Sequence, residues 1–182
     1  MSTRVTRKEI ADYLNTGTSA SPDYTLMGVG FNSLDENTGA QTESVTYINE
    51  DAASKYVTGY ETSFPFDTEL IADDDAVAFI YDVARDQKTG ANAETDYVRV
   101  ELFKPRMETA AGAAVASLVG YEARKFRVSV EVSDVKGDAG KIIKVSGNLN
   151  VIGEFTDGVF DTSAKTFTDN GSTVIVAEDE TL

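Results

Sequence analysis

The residues with the clearest chemical potential are three consecutive carboxylates, Asp73, Asp74 and Asp75. Carboxylate oxygens are the ligands that Mg²⁺ and Ca²⁺ prefer. Three adjacent side chains cannot all point at one ion, however, and no glycine-spaced calcium loop surrounds them. The same residues suit the start of a helix, where a side-chain cap and the helix dipole both favour carboxylates. We therefore interpret this cluster as a helix start rather than as a metal site.

The composition excludes several kinds of catalytic site. The chain has 182 residues with no His and no Cys, so neither a Ser-His-Asp nor a Cys-His nucleophile can be built, nor a zinc site of imidazole or thiolate ligands. A glycosidase-type pair remains open among 31 acidic residues, but no spacing singles one out. The segment Gly28-Val29-Gly30 lacks the third glycine of a dinucleotide loop. The sequence therefore favours a protein that is not an enzyme and binds no cofactor.

The net charge limits the possible partners. Acidic residues outnumber basic ones by 31 to 16, which gives a formal charge of −15. Such a chain repels DNA phosphates at long range, so it is not expected to bind nucleic acid in the usual way. The longest stretch without charge, residues 109–121, is too short and too rich in Ala and Gly to span a bilayer. Membrane insertion is therefore not expected.

The first residues differ in pattern from the rest of the chain. Thr6 and Glu9 have the spacing of a capping box, and Ile10, Tyr13 and Leu14 recur at helical spacing, which predicts a short helix over residues 3–15. The following residues have the composition of a linker. We predict an N-terminal arm and linker over residues 1–23 and a single domain over residues 24–182.

The rest of the chain is predominantly extended. Apolar and polar residues alternate over residues 97–103 and 126–132, and further strands are predicted over 142–151 and 173–176. One helix follows Asp74, with an apolar stripe of Val77, Ile80, Tyr81 and Ala84. The pattern predicts a mainly β (α+β) fold: a β-sandwich or open barrel with one flanking α-helix, an N-terminal arm and an extended loop.

Four stretches, taken in their order, resemble the major tail proteins (tail tube proteins) of tailed phages. No single motif is diagnostic, and the resemblance covers residues 24–168. Residues 1–23 and 108–119 have no counterpart in that family. The four stretches are VTYINEDAAS at 45–54, GYETSFPF at 59–66, DDAVAFIY at 74–81 and the closing hairpin at 124–161.

The resemblance implies a structural protein. Subunits of that family form hexameric rings, which stack into a hollow tube through which DNA is delivered. An acidic lumen would let DNA pass without specific binding. The expected location is the virion tail, after synthesis in the host cytoplasm. The expected partners are further copies of the chain, a tape-measure protein, and tail initiator and terminator proteins.

The resemblance also assigns roles to particular residues. The helix is expected on the outer face of the ring, with Asp74, Val77, Ile80, Tyr81 and Ala84. Lateral subunit contacts are expected at Thr58, Tyr60, Thr62, Ile143, Val145, Gly147 and Leu149. The arm that stacks one ring on the next is expected at Asn49, Glu50, Asp51, Ala52, Ala53, Ser54, Lys55 and Tyr56.

Two other classes of protein remain open from the sequence. A monomeric β-sandwich binding module on a larger particle, such as an adhesin or a carbohydrate-binding domain, would explain the fold and the acidity. That reading predicts an exposed aromatic platform or a calcium site. A carboxylate-based hydrolase is the weaker alternative. A tube from a contractile tail or a phage-like bacteriocin would use the same fold as a flexible-tail tube.

Overall fold

The computed structural model describes residues 4–49, 51–108 and 115–170. This part of the chain contains eleven β-strands, one α-helix and two 3₁₀ turns. The 3₁₀ turns are Arg7–Glu9 and Gly90–Ala93, and α1 is Asp75–Arg85. The strands are β1 Ile10–Asn15, β2 Tyr24–Leu26, β3 Phe31–Leu34, β4 Ala40–Val45, β5 Ser54–Tyr60, β6 Ser63–Glu69, β7 Glu94–Glu108, β8 Ser117–Lys136, β9 Lys144–Val151, β10 Thr156–Asp161 and β11 Thr166–Asp169.

Nine of these strands form one curled, antiparallel sheet with the shape of a half barrel. Seven strands follow the order β2-β1-β7-β8-β9-β6-β3, and β10 joins the same edge of β8 that β9 uses, with β11 beside it. The remaining two strands, β4 and β5, pair only with each other in a separate hairpin. The predicted mainly β fold with one flanking helix is confirmed.

Both faces of the sheet bury apolar side chains. Along β7, Tyr97 packs into a core beneath α1, whereas Val98 and Val100 pack into a second core on the other face. Successive side chains of a strand point to opposite faces, so a strand buried on both sides must be apolar at neighbouring positions. The first core contains the ring contacts Phe64–Tyr97 and Phe64–Phe126, with centroids 4.6 and 5.0 Å apart.

The helix begins where the acidic cluster predicts. The Asp74 side chain accepts a hydrogen bond from the backbone N–H of Val77, at 2.9 Å, which is the geometry of an N-cap. Val77 and Ile80 are fully buried in the helix face, and Tyr81 and Ala84 are half-buried beside them. The cluster therefore starts a helix that covers the first core.

The predicted N-terminal helix is wrong. Thr6 and Glu9 do form the capping box, but it closes only the 3₁₀ turn Arg7–Glu9. The chain then enters β1, which pairs with β7 and β2 inside the main sheet. Tyr13 and Leu14 are buried in opposite cores, and burial on both faces requires a strand rather than the one-sided stripe of a helix. Within the arm predicted over residues 1–23, residues 10–15 thus belong to the sheet.

β7 and β8 are longer than the sequence predicts and form a hairpin. Beyond Glu101 the two strands pair with irregular register, from Pro105 opposite Tyr121 to Glu108 opposite Ser117. The strands predicted over residues 126–132 and 142–151 lie in β8 and β9, and a turn separates Lys136 from Lys144. The strand predicted over residues 173–176 lies outside the described residues.

Candidate assembly interface

The β4–β5 hairpin is built differently from the rest of the structure. Its strands pair in register from Val45 opposite Ser54 to Ala40 opposite Tyr60, with an irregularity next to Thr42. It has no strand partner in the main sheet. A two-stranded hairpin without further packing is marginally stable in water. Packing against a further surface would therefore stabilise this element.

Large side chains of the hairpin are exposed. The large exposed side chains, each at least 45% exposed, are those of Tyr47, Ile48, Tyr56, Val57 and Tyr60. In the register of the hairpin, Tyr56 lies on one face with Glu43, and Val57 lies on the other with Thr42. Several large exposed side chains on one short element are a candidate interaction surface. Each face of the hairpin presents at least one of them.

The root of the hairpin is attached to the sheet by an ion-pair cluster. Glu36 accepts hydrogen bonds from Arg99 Nη1 at 3.0 Å and from Arg124 Nη1 and Nη2 at 2.8 and 2.9 Å. Arg99 on β7 and Arg124 on β8 are cross-strand partners. Two like charges directly opposite each other destabilise a sheet. The Glu36 carboxylate removes that repulsion and thereby ties the segment before β4 to the sheet.

Arg99 extends this cluster into the protein interior. Its side chain is 5% exposed, and it donates to Asp12 Oδ1 at 2.9 Å and to the backbone carbonyl of Leu34 at 3.1 Å. The buried Tyr97 hydroxyl also donates to Asp12. Burial, together with the Asp12 charge, raises the pKa of Tyr97 well above its usual value. All the charges in this interior cluster are thus paired, as buried charges must be.

Charge pairing also determines the protonation of Glu36. Burial alone would raise the pKa of this carboxyl, but hydrogen bonds and charge from Arg124 and then Arg99 outweigh it. The pKa of Glu36 is therefore lowered, and the group is ionised at neutral pH. The same contacts raise the pKa of Arg124, against the effect of its burial.

A second attachment lies immediately beyond Glu36. Asn37 and Ser63 exchange two backbone hydrogen bonds, each of 2.9 Å, and the Glu61 N–H donates to the Gly39 carbonyl at 3.1 Å. Gly39 has φ +56°, and a Cβ there would lie 2.2 Å from the Glu61 carbonyl oxygen. A glycine is thus required at this crossing. The two ends of the hairpin are held together at its root.

The residues predicted for the stacking arm fall at the far end of the hairpin. Asn49 and Asp51 lie in its turn, Ser54, Lys55 and Tyr56 begin β5, and all are exposed. Ala52 and Ala53 are exposed as well. Glu50 lies outside the described residues. The arm predicted from the sequence is thus the tip and returning strand of a β-hairpin.

The residues predicted for lateral contacts divide into two groups. Thr58 and Tyr60 are exposed on β5, Thr62 is half-buried just after it, and Ile143 is exposed just before β9. Val145, Gly147 and Leu149 are buried, and β9 is paired on both edges, with β8 and β6. In a folded copy, neither the side chains nor the backbone edges of these three residues are accessible, and the lateral contacts stay a prediction.

Sequence reasoning missed the ion-pair cluster. Arg99 appears in the sequence as a polar position of an alternating strand, and Glu36 lies in a turn-like segment. One signal in the sequence could have indicated a buried arginine. Tyr97 and Arg99 lie two residues apart, on one face of a strand whose other face is apolar. A strand that carries a Tyr and an Arg opposite Val98 and Val100 can be buried on both faces if a carboxylate accompanies the Arg.

No metal site or membrane-crossing helix is found in the described part of the chain. Among the described residues, no three carboxylates come together as ligands for a metal ion. None of the helices in the ranges given above is both long enough and apolar enough to cross a membrane.

Comparison with known proteins yields similarity of structure only. No protein-family model matches the chain, and no curated protein sequence matches it. A chain of the anti-feeding prophage (AFP) baseplate has a TM-score of 0.49 at 8% identity, covering 86% of this chain and 97% of that one. A chain of the PVC sheath-tube complex, from an extracellular contractile injection system in its extended state, has a TM-score of 0.48 at 9% identity, with coverages of 86% and 92%.

A third solved structure is similar over nearly its whole length. A chain from the tail of an empty GTA particle with C6 symmetry has a TM-score of 0.53 at 11% sequence identity. The match covers 84% of this chain and 98% of that chain. At this identity the similarity is one of fold, and this chain shares the fold of a component of that tail.

Proposed function

We propose that this protein is the structural subunit of a tail tube, in which hexameric rings stack into a hollow conduit for DNA. The role is structural rather than catalytic. The observation that carries the proposal is the β4–β5 hairpin, which stands outside the main sheet with Tyr47, Ile48 and Tyr56 exposed. Such a hairpin gains stability when it packs against another copy.

Three further features support this proposal. The fold is shared with a chain from the tail of a GTA particle that has C6 symmetry. Two of the four stretches that resemble tail tube proteins, residues 45–54 and 59–66, cover the tip of the hairpin, the end of β5 and the first part of β6. The formal charge of −15 would give a ring of subunits a strongly negative field, which repels DNA and keeps it from adhering to the wall. Such a subunit belongs in the virion, with tape-measure, initiator and terminator proteins as partners.

The hairpin can be shortened to test the proposal. Glu43 and Tyr56 are cross-strand partners, so replacing residues 44–55 with Asn-Gly closes the hairpin in register with a two-residue turn. The expected result is a folded monomer that no longer polymerises. Electron microscopy and sedimentation velocity measure polymerisation, and circular dichroism checks the fold. Tubes formed by the shortened variant would refute the assignment of the hairpin to stacking.

The alternative of a binding module receives support from one observation. Tyr47, Tyr56 and Tyr60 are all exposed on the hairpin, and exposed aromatic rings are what a carbohydrate-binding platform would present. The two functions predict different behaviour of the same variant. For a binding module, Tyr56→Ala should abolish glycan binding by a monomer. For a tube subunit, Tyr56→Ala should weaken polymerisation, and no glycan in an array should bind.

A further inference from the structure

The turn between β8 and β9 exposes three large aliphatic side chains at one end of the sheet. Val135, Ile142 and Ile143 are 46%, 61% and 43% exposed. Lys141 and Lys144 lie beside them, and the ion pair described at this turn uses a different lysine, Lys136, with Asp134. Asp138 and Glu69 border the same surface. The end of β8 and the turn that follows it therefore present exposed aliphatic side chains beside two exposed lysines.

A groove of complementary character lies at the root of the hairpin. It has a volume of about 1150 Å³ and is bounded by the start of β6 and the loop from β9 to β10. The rings of Tyr60 and Phe155 line it and are 66% and 48% exposed. Its acidic side chains include Glu61, Glu154 and Asp157. Arg124 also reaches the groove, but Glu36 already neutralises it.

The groove and the turn lie at opposite ends of the same pair of strands. In the register of β6 with β9, Ser63 lies opposite Asn150 at the groove, and Glu69 lies opposite Lys144 at the turn. Six residues of extended strand separate the two ends by roughly 20 Å, at about 3.3 Å per residue. The turn of one copy therefore cannot enter its own groove.

We propose that the β8–β9 turn of one copy inserts into the groove at the hairpin root of the next copy. The proposal rests on the proposed tube function and names the surface that meets the hairpin end of the neighbouring ring. Ile142 and Ile143 cover the exposed Tyr60 and Phe155 rings. Lys141 and Lys144 meet the rim carboxylates. Because the two surfaces differ and lie at opposite ends, the contact is heterologous, and such a contact can repeat from one copy to the next along an axis, as stacking requires.

A pair of single-cysteine variants tests this contact directly. The chain has no Cys, so I142C and E154C each carry one thiol, on the turn and on the groove rim. The two full-length variants are mixed under mild oxidation, and mixed disulfides are quantified by mass spectrometry. The matched control replaces I142C with K165C, which lies in the exposed turn between β10 and β11. We expect at least tenfold more 142–154 than 165–154 disulfide, since bound thiols react at a raised effective concentration. Equal yields would overturn the proposal.

Charge exchange provides an independent measurement in the same chain. K141E/K144E shifts the formal charge from −15 to −19, and E61K/E154K shifts it to −11, whereas the four substitutions together restore −15. Each pair alone should reduce assembly, and the combination should restore it. K8E/K165E also gives −19 and should assemble better than K141E/K144E. Equal assembly of these two −19 variants would refute a local contact.

The outcomes separate this proposal from the proposed function. Tubes of wild-type protein that give no excess of 142–154 disulfide would leave the tube function standing and overturn this contact. Excess 142–154 disulfide in protein that forms short linear oligomers but no tubes would support this contact and refute the tube function.

Discussion

Replacing Glu36 by Gln removes the charge that joins the hairpin root to two strands of the sheet. The amide keeps the shape of the carboxylate but cannot neutralise Arg99 and Arg124, which lie opposite each other on β7 and β8. Arg99 retains Asp12 as an ion-pair partner, whereas the described ion pairs give Arg124 no carboxylate other than Glu36. The variant therefore leaves Arg124 without an ion-pair partner at a half-buried site, where the charge of Glu101 still attracts it without forming an ion pair.

The expected loss in unfolding free energy depends on how deeply the ion pair is buried. Removing one partner of a buried ion pair costs about 3–5 kcal/mol. The Glu36 side chain is 21% exposed and that of Arg124 is 26% exposed, so solvent screens part of this interaction. We therefore expect a loss at the lower end, about 3 kcal/mol. For a chain of this size, that loss lowers Tm by about 6–12 °C.

Urea unfolding followed by far-ultraviolet circular dichroism measures this loss in the full chain. The matched control is Glu61→Gln, a substitution of the same chemistry at an exposed carboxylate of the same root. The control should stay within about 0.5 kcal/mol of wild type. A Glu36→Gln variant that also unfolds within 0.5 kcal/mol of wild type would refute the anchoring role of the ion-pair cluster.

Three further predictions concern pH, the central strand and the helix cap. Because the pKa of Glu36 is lowered from its usual 4.5, its stabilisation is present above that pH and is lost as the pH falls through the lowered value. The difference in unfolding free energy between wild type and Glu36→Gln should thus be constant above pH 6 and shrink on acidification; a difference unchanged at pH 3 would contradict this. Gly147→Ala should lower the free energy of unfolding in urea by about 1–3 kcal/mol, since its Cβ would lie 1.9 Å from the Glu131 carbonyl oxygen. The control is Gly59→Ala, because the space around Gly59 is open. Asp74→Ala should lower the free energy of unfolding by about 1 kcal/mol, because the helix loses its N-cap. The control Asp73→Ala should have no measurable effect, and equal effects of the two variants would count against the assigned cap.

Local patterns predicted the helix and most strands because one dominant factor determines each. The α1 start depends on a cap and a first turn that sequence spacing displays directly, and Asp74 and Val77 occupy those positions. The strands over 97–103 and 126–132 alternate, and the structure places both in the sheet. The turn between Lys136 and Lys144 depends on nearby glycines. Such features involve only neighbouring residues.

Predictions from the sequence are less successful where tertiary packing determines the local structure. Ile10, Tyr13 and Leu14 fit a helical stripe, but packing against β7 from both faces makes them a strand. Val145 and Leu149 were expected at lateral contacts from the resemblance to tail tube proteins, yet in a folded copy both edges of their strand are paired, with β6 and with β8. Strand order within a sheet cannot be derived from local alternation, so free and covered edges cannot be distinguished by it.

The candidate interface was predictable in location but not in construction. The tip of the hairpin coincides with the position that the resemblance to tail tube proteins gave to the arm, residues 49–56. The Glu36–Arg99–Arg124 cluster joins residues separated by 63 and 88 positions in the chain. No pattern along the sequence indicates which of 31 acidic residues pairs with which arginine.

Negative-stain electron microscopy of the purified full chain, over a series of protein and salt concentrations, tests directly whether this protein assembles into a tube. Salt screens the repulsion between subunits of charge −15, so assembly should increase with ionic strength. A tail tube subunit should form hollow tubes, or rings with six-fold symmetry in end views. A protein that remains monomeric at high concentration and high salt would contradict it.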